Sequence, residues 1–260
     1  MQMRLRSSLI ATADNCRRML RYQWIQRVRA LSEPANLAFG HCVDIATREY
    51  LRALTLGTPL PDPVADFRGR WAETVRTQVI TFAATQSPET FERTGVDLLR
   101  LLPESWDQTG YEVALDADGA PLLDVKLSYF MGQQSGIELY LDGTLDVIVY
   151  TDLGDFAVLD VKSASAAHTP LYTARSDQLT SYQLLVAGNR RKLGLPALQQ
   201  LGFWDFLKRR ASSRVEKPVL VPLRSAQELS EFRQKCFWIA EDIQRGRFPK
   251  ASRMQFNTPC

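Results

Sequence analysis

Apolar residues recur at helical spacing through the first part of the chain, up to about residue 105. A first helix is predicted to run from a cap at Asp14 or Asn15 to about residue 28. Further helices are predicted over residues 36–56, 64–85 and 88–101. A proline-rich stretch at 59–63 separates the first two of these, and Ser87 before a proline is a typical helix start. This part of the chain is therefore expected to be helical.

Beyond about residue 105 the pattern changes to alternating apolar and polar positions broken by turn signals, which predicts strands. The predicted strands cover residues 110–116, 121–131, 136–150, 156–163, 199–208 and 217–223, with helices over 175–188 and 225–245. The fold class is therefore α/β, with a mixed central β-sheet flanked by helices. We expect one domain over 1–260, with a helical N-terminal part at about 1–105 and an αβ core at about 106–250.

The composition is that of an ordinary globular protein, with 260 residues, 45% of them hydrophobic and 23% charged. No apolar run reaches the ~18 residues of a membrane-spanning helix, and no secretory signal stands at the start. The four cysteines are widely spaced without a C-x-x-C pair, which argues against a secreted disulfide framework. We therefore expect a cytoplasmic protein that does not engage a membrane.

Basic residues are clustered although the net charge is only +3. Residues 1–30 hold seven arginines against the single acid Asp14, and further clusters lie at 190–192 and 208–217. Such clusters suit a polyanion such as DNA or RNA, and the alternative for each is an ordinary solvated helix face. If they bind nucleic acid, binding will weaken strongly with salt.

The third and fourth predicted strands carry acids in a frame of Leu, Val and Ile. If Leu153 centres the turn between them, Asp146 lies opposite Asp160, with Cβ atoms ~4.5–5.5 Å apart. Lys162 shares the face of Asp160, because side chains alternate along a strand. Facing carboxylates repel each other and lose hydration, and a hard cation such as Mg²⁺ or Mn²⁺ relieves both effects. The lysine would then act on a metal-bound water or on charge at a phosphate.

A second Asp-Val-Lys triplet stands at Asp124–Lys126, so the two copies must be separated. The earlier copy has acids only in the turn before it, Asp116 and Asp118, whereas the later one has the facing Asp146. The later copy is therefore the candidate site, and substitution of Asp124 or Lys126 is expected to change activity little.

Several short motifs share one order and spacing with a known family. Gly143-Thr144-Leu145-Asp146, Asp160-Val161-Lys162 and Gln178-x-x-x-Tyr182 resemble the RecB-like branch of the PD-(D/E)XK nuclease superfamily. Phe39-Gly40-His41 resembles the segment that carries a metal-ligating histidine in that branch. The resemblance covers nearly the whole chain and implies a restriction-endonuclease-like core.

The resemblance implies a role for each matching residue. Asp146, Asp160, His41 and the carbonyl of Val161 would hold Mg²⁺ or Mn²⁺, and Lys162 would be the catalytic lysine. Gln178 and Tyr182 share one helix face and would line the substrate path. From the residues alone, His41 is a packed or capping histidine.

The resemblance implies a metal-dependent DNA nuclease that hydrolyses phosphodiester bonds and acts as an exonuclease on DNA ends or single strands. An endonuclease or resolvase on the same fold is the first alternative, and a catalytically idle DNA-binding scaffold is the second. Some relatives hold an iron–sulfur cluster on four cysteines. Only Cys16 and Cys260 fit those positions here, so the chain as given does not support a cluster.

Overall fold

A computed structural model describes residues 1–208 and 213–250 and shows helices on both faces of a mixed eight-stranded sheet. The fold class predicted from the sequence is confirmed. The strands are β1 (Gln2–Leu5), β2 (Glu33–Pro34), β3 (Ile80–Thr81), β4 (Glu112–Val113), β5 (Leu123–Gln134), β6 (Ile137–Tyr150), β7 (Phe156–Ala164), β8 (Gln200–Leu207), β9 (Arg214–Val215) and β10 (Val219–Pro222). The helices are α1 (Ser7–Asn15), α2 (Arg17–Leu20), α3 (Ala35–Leu56), α4 (Pro63–Thr77), α5 (Pro88–Asp107), α6 (Pro170–Ala174), α7 (Asp177–Asn189) and α8 (Ala226–Gln244).

Strand β6 organises the sheet, because four other strands, β1, β4, β5 and β7, pair with it. β5 runs antiparallel along one edge. The other edge is shared: β1 pairs in parallel with residues 138–141, and β7 pairs antiparallel with residues 147–150. Residues 142–146 of that edge lie between the two pairings. β8 extends the sheet in parallel with β7, and β10 follows antiparallel to β8.

The sheet separates two hydrophobic cores. One core lies under α1, α7 and α8, and the other lies under α3, α4 and α5, where Phe39, Phe67, Trp71 and Phe91 form an aromatic cluster. Both faces of the sheet are thereby removed from water, which is why its central strands are almost continuously apolar.

At one point along β5 and β6, the side chains at alternate positions change from one core to the other. Leu145 packs in the first core but Val147, only two residues further on, packs in the second. The same change separates Leu123 from Leu127 on β5. Asp124, which lies between them, has a left-handed φ of 57°, a conformation that Asp tolerates better than most residues. Asp146 therefore stands where strict alternation along β6 breaks.

Helix starts follow side-chain caps wherever the sequence offers them. Ser87 accepts from the N–H of Thr90, as its position before a proline predicted, and Ser225 forms a capping box with Glu228 at the start of α8. Ser176 caps α7 by accepting from the N–H of Leu179, and so fixes where that helix begins. Within the described ranges, no helix is both long and apolar enough to cross a bilayer.

The largest departure from the predicted elements is at the N-terminus. The single helix predicted after Asp14 or Asn15 is instead α1, which ends there, followed by α2 and a π-helical turn over Arg21–Ile25. The break falls at Cys16, which is extended and whose Sγ accepts from the N–H of Met19. Asp14 does not cap a helix but pairs with Lys235 on α8.

Candidate active site

The hairpin of β6 and β7 has the register predicted from a turn centred on Leu153. Its ladder runs from Tyr150 opposite Phe156 to Val147 opposite Leu159. Asp146 and Asp160 are the next positions beyond the last pair. The strands part there, and the backbone N–H of Val161 donates to Asp146 Oδ2 at 2.9 Å. The hairpin therefore brings both acids to the point where β7 leaves β6.

Asp160 is completely buried and is held by three side chains. Its Oδ1 accepts from the Tyr182 hydroxyl at 2.7 Å and from Gln178 Nε2 at 2.6 Å. Its Oδ2 forms an ion pair with the ammonium group of Lys162. Gln178 and Tyr182 lie one turn apart on α7, so a single helix supplies both donors. The motif residues Asp160, Lys162, Gln178 and Tyr182 thus form one connected cluster.

The charges of the site perturb one another. Burial raises the pKa of Asp146 well above its usual range, and the nearby carboxylates of Asp160 and Asp44 raise it further. Burial lowers the pKa of Lys162, but Asp160 and the two other carboxylates outweigh that effect, and the net shift is upward. Burial and the neighbouring Asp160 also raise the pKa of Tyr182. The lysine therefore stays charged and the tyrosine stays a hydrogen-bond donor.

Asp44 on α3 is a site residue that the sequence analysis missed. Burial raises its pKa, and its electrostatic effect reaches both Asp146 and Lys162. Asp44 Oδ2 pairs with Arg48 at 3.0 Å, and Arg48 also pairs with Asp124 at 2.9 Å. A signal did exist in the sequence, since Asp44 stands one turn after Gly40 and so shares its side of the helix, beside the buried face.

The contact between Arg48 and Asp124 connects the earlier Asp-Val-Lys triplet with the site. Asp124 pairs with the arginine that also pairs with Asp44. Asp124 is therefore linked to the site, although through another residue. The small effect on activity expected of its substitution stays a prediction.

His41, the predicted histidine ligand, lies on the exposed side of α3. It is close enough to Asp44 to lower the pKa of that carboxyl, against the larger effect of burial. Its part in metal binding stays a prediction, as do the substrate contacts predicted for Gln178 and Tyr182. Cys16 is buried, and Cys260 lies outside the described residues.

Two glycines of the motifs permit close packing around the site. A Cβ atom on Gly143 would lie 2.5 Å from Leu185 Cδ1, so glycine lets α7 settle directly on β6. A Cβ atom on Gly40 would lie 3.0 Å from Ser163 Oγ, where α3 meets the end of β7. The glycines thus bring the helices that carry Gln178 and Asp44 against the strands that carry the acids.

The carboxylates fit a divalent cation, although the side chains do not form a closed ligand shell. Among the residues that the structure describes, no group of three or more His, Cys, Asp or Glu side chains is close enough to hold a metal ion. One buried carboxylate oxygen, Asp44 Oδ1, nevertheless has no hydrogen-bond partner among the described residues. The buried Asp160 Oδ2 contacts the ammonium group of Lys162. A buried carboxylate oxygen without a donor is costly alone, and carboxylate oxygens are preferred ligands of Mg²⁺ and Mn²⁺.

A groove and a smaller cavity flank the cluster. The groove has a volume of about 930 Å³ and runs between β5, β6 and α7, where Gln178 and Tyr182 line it. Three basic side chains also line it, those of Arg6, Lys126 and Lys192. The third basic cluster of the sequence includes Arg209 and Arg210, which lie outside the described residues.

The mixed sheet and its acidic pair with a neighbouring lysine are typical of a class of metal-dependent phosphodiesterases. The profile of the PD-(D/E)XK nuclease superfamily matches residues 7–260, and the chain belongs to this superfamily. Its members are nucleases that generally use divalent metals, so the substrate class is nucleic acid.

A search of curated proteins finds no significant match. Among solved structures, that of SSO0001 aligns with a TM-score of 0.34 and 12% sequence identity, over 93% of this chain and 85% of that one. A TM-score this low does not establish a common fold.

Proposed function

We propose that the protein is a Mg²⁺- or Mn²⁺-dependent DNA nuclease of the RecB-like type that acts as an exonuclease on DNA ends or single strands. The cluster of Asp146, Asp160 and Lys162 at the parting of β6 and β7 carries the proposal. A fully buried aspartate that keeps a charged lysine is costly for stability and has a ready explanation in phosphodiester hydrolysis. The RecB-like order of motifs supports DNA as the substrate and ends as the point of attack.

The carboxylates of Asp146, Asp160 and Asp44 would hold the cation, together with the carbonyl of Val161. We assign the third carboxylate to Asp44 rather than a ligand role to His41, because Asp44 acts on Asp146 while His41 faces outward. When bound, the cation would activate water and neutralise charge on the phosphate. Lys162, held by Asp160, would stabilise negative charge on the attacked phosphate.

Gln178 and Tyr182 act through Asp160 in this proposal. Their two hydrogen bonds to Oδ1 fix the carboxylate and leave Oδ2 toward Lys162. Both are therefore positioning residues, and the groove on their other side carries the nucleic acid. Tyr182→Phe should lower the rate by removing one donor while leaving the affinity for substrate nearly unchanged.

The deciding experiment uses the purified chain with Mg²⁺ or Mn²⁺, and with a chelator as the control. Linear single-stranded DNA, linear duplex, circular single-stranded DNA, closed circular duplex and linear RNA are compared. Asp160→Asn tests whether cleavage belongs to this site, and Asp118→Asn is the matched control in an exposed turn.

Metal-dependent loss of linear DNA with circles intact, abolished by Asp160→Asn, supports the exonuclease. Cutting of either circle overturns the exonuclease and favours the endonuclease alternative. Binding of DNA without any cleavage overturns the enzyme and favours the idle scaffold. Preference for RNA overturns the choice of DNA.

A further inference from the structure

A second cavity, of about 510 Å³, adjoins the groove and shares Ser7, Ser8 and Gln178 with its lining. It opens between the start of α1 and the segment 168–178. Its lining includes the side chains of Lys162, His168, Tyr172, Arg175, Gln178 and Phe203. Lys162 and Gln178 belong to the proposed site, so a group in this cavity would stand next to the attacked phosphate.

His168 is fixed in this cavity by a buried carboxylate that the proposed reaction does not use. Asp205 on β8 is only 1% exposed. Its Oδ2 accepts from the backbone N–H of His168 at 2.7 Å, and its Oδ1 lies 2.6 Å from His168 Nδ1. The imidazole also stacks on Phe203, with ring centroids 4.4 Å apart and an angle of 29°. Its Nδ1 is therefore committed to Asp205, and Nε2 is the ring nitrogen left for a ligand.

Tyr172 extends this stack into solvent. Its ring centroid lies 4.9 Å from that of His168, yet the residue is 59% exposed. It stands on the short helix α6, which Thr169 caps and the buried Arg224 fastens through the carbonyl of Thr173 at 2.8 Å. Because these contacts fix the backbone of α6, the exposed ring of Tyr172 has a defined position in which another aromatic ring can stack on it.

We infer that this cavity is a subsite for one unpaired nucleotide, next to the phosphodiester that is cleaved. The base stacks on Tyr172, and the phosphate of that nucleotide meets Arg175 and His168. The inference rests on the proposed function and specifies its substrate. A base within a duplex has both faces covered by its neighbours, so only an unpaired or frayed base would use the ring.

Charge and stacking together favour a nucleotide over other ligands. Arg175 is exposed at the cavity and offers a guanidinium group, which suits phosphate oxygens. Base–aromatic stacking tolerates any base, because each base has a π-face. The subsite would therefore select single strands without selecting sequence.

The test combines two variants with abasic oligonucleotides. Tyr172→Ala removes the stacking ring and Tyr172→Phe keeps it. Leu171→Ala is the matched control, because Leu171 is 60% exposed on the same helix and does not line the cavity. KM and kcat are measured on single-stranded oligonucleotides that carry one abasic site at successive positions from the end. Melting temperatures verify that the variants are folded.

We expect Tyr172→Ala to raise KM on intact single strands by about 5- to 150-fold, the effect of losing one stacked base, with kcat changed less. An abasic site at one particular position should weaken the wild type similarly and add nothing in Tyr172→Ala. Tyr172→Phe and Leu171→Ala should behave like the wild type.

The outcomes separate this inference from the proposed function. Cleavage that depends on Asp160 but responds equally to Tyr172→Ala and Leu171→Ala overturns the subsite alone. The same holds if no abasic position matters, or if Tyr172→Ala and the abasic site weaken the substrate independently. Absence of Asp160-dependent cleavage overturns the proposed function, and stacking is then tested by fluorescence anisotropy with a labelled single strand. Equal binding by the wild type and Tyr172→Ala in that assay overturns the subsite as well.

Discussion

At the scale of single residues, Asp160 has more partners than any other acid of the site, because Lys162, Gln178 and Tyr182 all contact its carboxylate. Asp160→Asn should abolish cleavage, since it removes the charge that binds the cation and retains Lys162. Lys162→Ala should lower kcat by roughly 10²–10⁴, the usual effect of losing one positioned catalytic group. Initial rates on linear DNA measure both, with Asp118→Asn as control. Near-normal rates in either variant would remove these residues from the reaction.

The assignment of the third carboxylate predicts opposite behaviour for two residues on one turn of α3. Asp44→Asn should raise the Mn²⁺ concentration needed for half-maximal activity by about tenfold or more, because a charged ligand is lost. His41→Ala should leave that concentration nearly unchanged. Titration of activity and calorimetric Mn²⁺ binding measure the effect. A metal requirement that shifts only in His41→Ala would restore the histidine ligand and exclude Asp44.

Asp146 should make the metal-free protein less stable above acidic pH. A carboxyl group whose pKa is raised on folding binds its proton more tightly in the folded state. The free energy of unfolding therefore falls as the pH rises from about 4, the unfolded pKa, through the raised folded pKa. Asp146→Asn removes this loss and should raise the melting temperature at pH 7 in a chelator by roughly 2–4 °C or more.

The difference between wild type and Asp146→Asn should vanish below pH 4, where the wild-type carboxyl is protonated in both states. Added Mn²⁺ should then stabilise the wild type more than the variant. A variant that is less stable than the wild type at pH 7 in the chelator would contradict the assigned electrostatics.

Sequence reasoning found the acids of the hairpin because a short turn fixes strand register, and register fixes which side chains face each other. It missed Asp44, which reaches the site only through the packing of α3 on the end of β7. It also did not predict the contact between Asp124 and Arg48, because the left-handed backbone at Asp124 has no simple sequence signal. Local pairing is thus encoded locally, whereas the contact between a helix and a strand end is not.

At the scale of elements, long periodic segments were predicted closely and breaks were not. The predicted helix 36–56 is α3 within one residue, because a buried face recurs along its whole length. α5 was expected to end at residue 101 but runs to Asp107 through Pro103. Burial of Leu102 and Trp106 outweighs the hydrogen bond lost at the proline. Tertiary packing thus extends helices beyond what local signals indicate.

The seating of α7 on β6 predicts contrasting effects of two glycine substitutions. Gly143→Ala should destabilise the protein by about 1–3 kcal/mol, because its methyl group would collide with the fully buried Leu185. Gly69→Ala, inside α4 with open space around it, should stabilise by about 1 kcal/mol through helix propensity. Urea denaturation measures both. Equal effects of the two would mean that α7 does not pack this closely.

At the scale of the whole molecule, the placement of charge identifies which basic residues are available to nucleic acid. Arg17, in the Arg-rich N-terminal segment, pairs with Asp242 at 3.3 Å and is mostly turned inward. Lys126 and Lys192 are exposed in the groove beside Gln178. Phosphates are therefore expected at the two groove lysines rather than at Arg17.

Lys126→Ala and Lys192→Ala should each reduce the log–log slope of DNA affinity against salt by about 0.7 on single strands, the value for one phosphate contact. Arg17→Ala should leave that slope unchanged. Affinities are measured from low to high salt with Asp160→Asn as the background, so that cleavage does not interfere. A slope that falls only for Arg17→Ala would place the phosphates on the N-terminal segment instead.

The shared edge of β6 sets the order in which the chain folds during synthesis. β1 leaves the ribosome early, but its partners on β6 follow much later, and β7 later still. Contacts between such distant segments form slowly, and an unpaired strand is meanwhile open to pairing with other chains. Asp44 is likewise synthesised well before the β6–β7 hairpin that carries the other acids. Asp160 gains its hydrogen bond from Tyr182 only after α7 has been synthesised. The growing chain therefore has no assembled site until Tyr182 has been made.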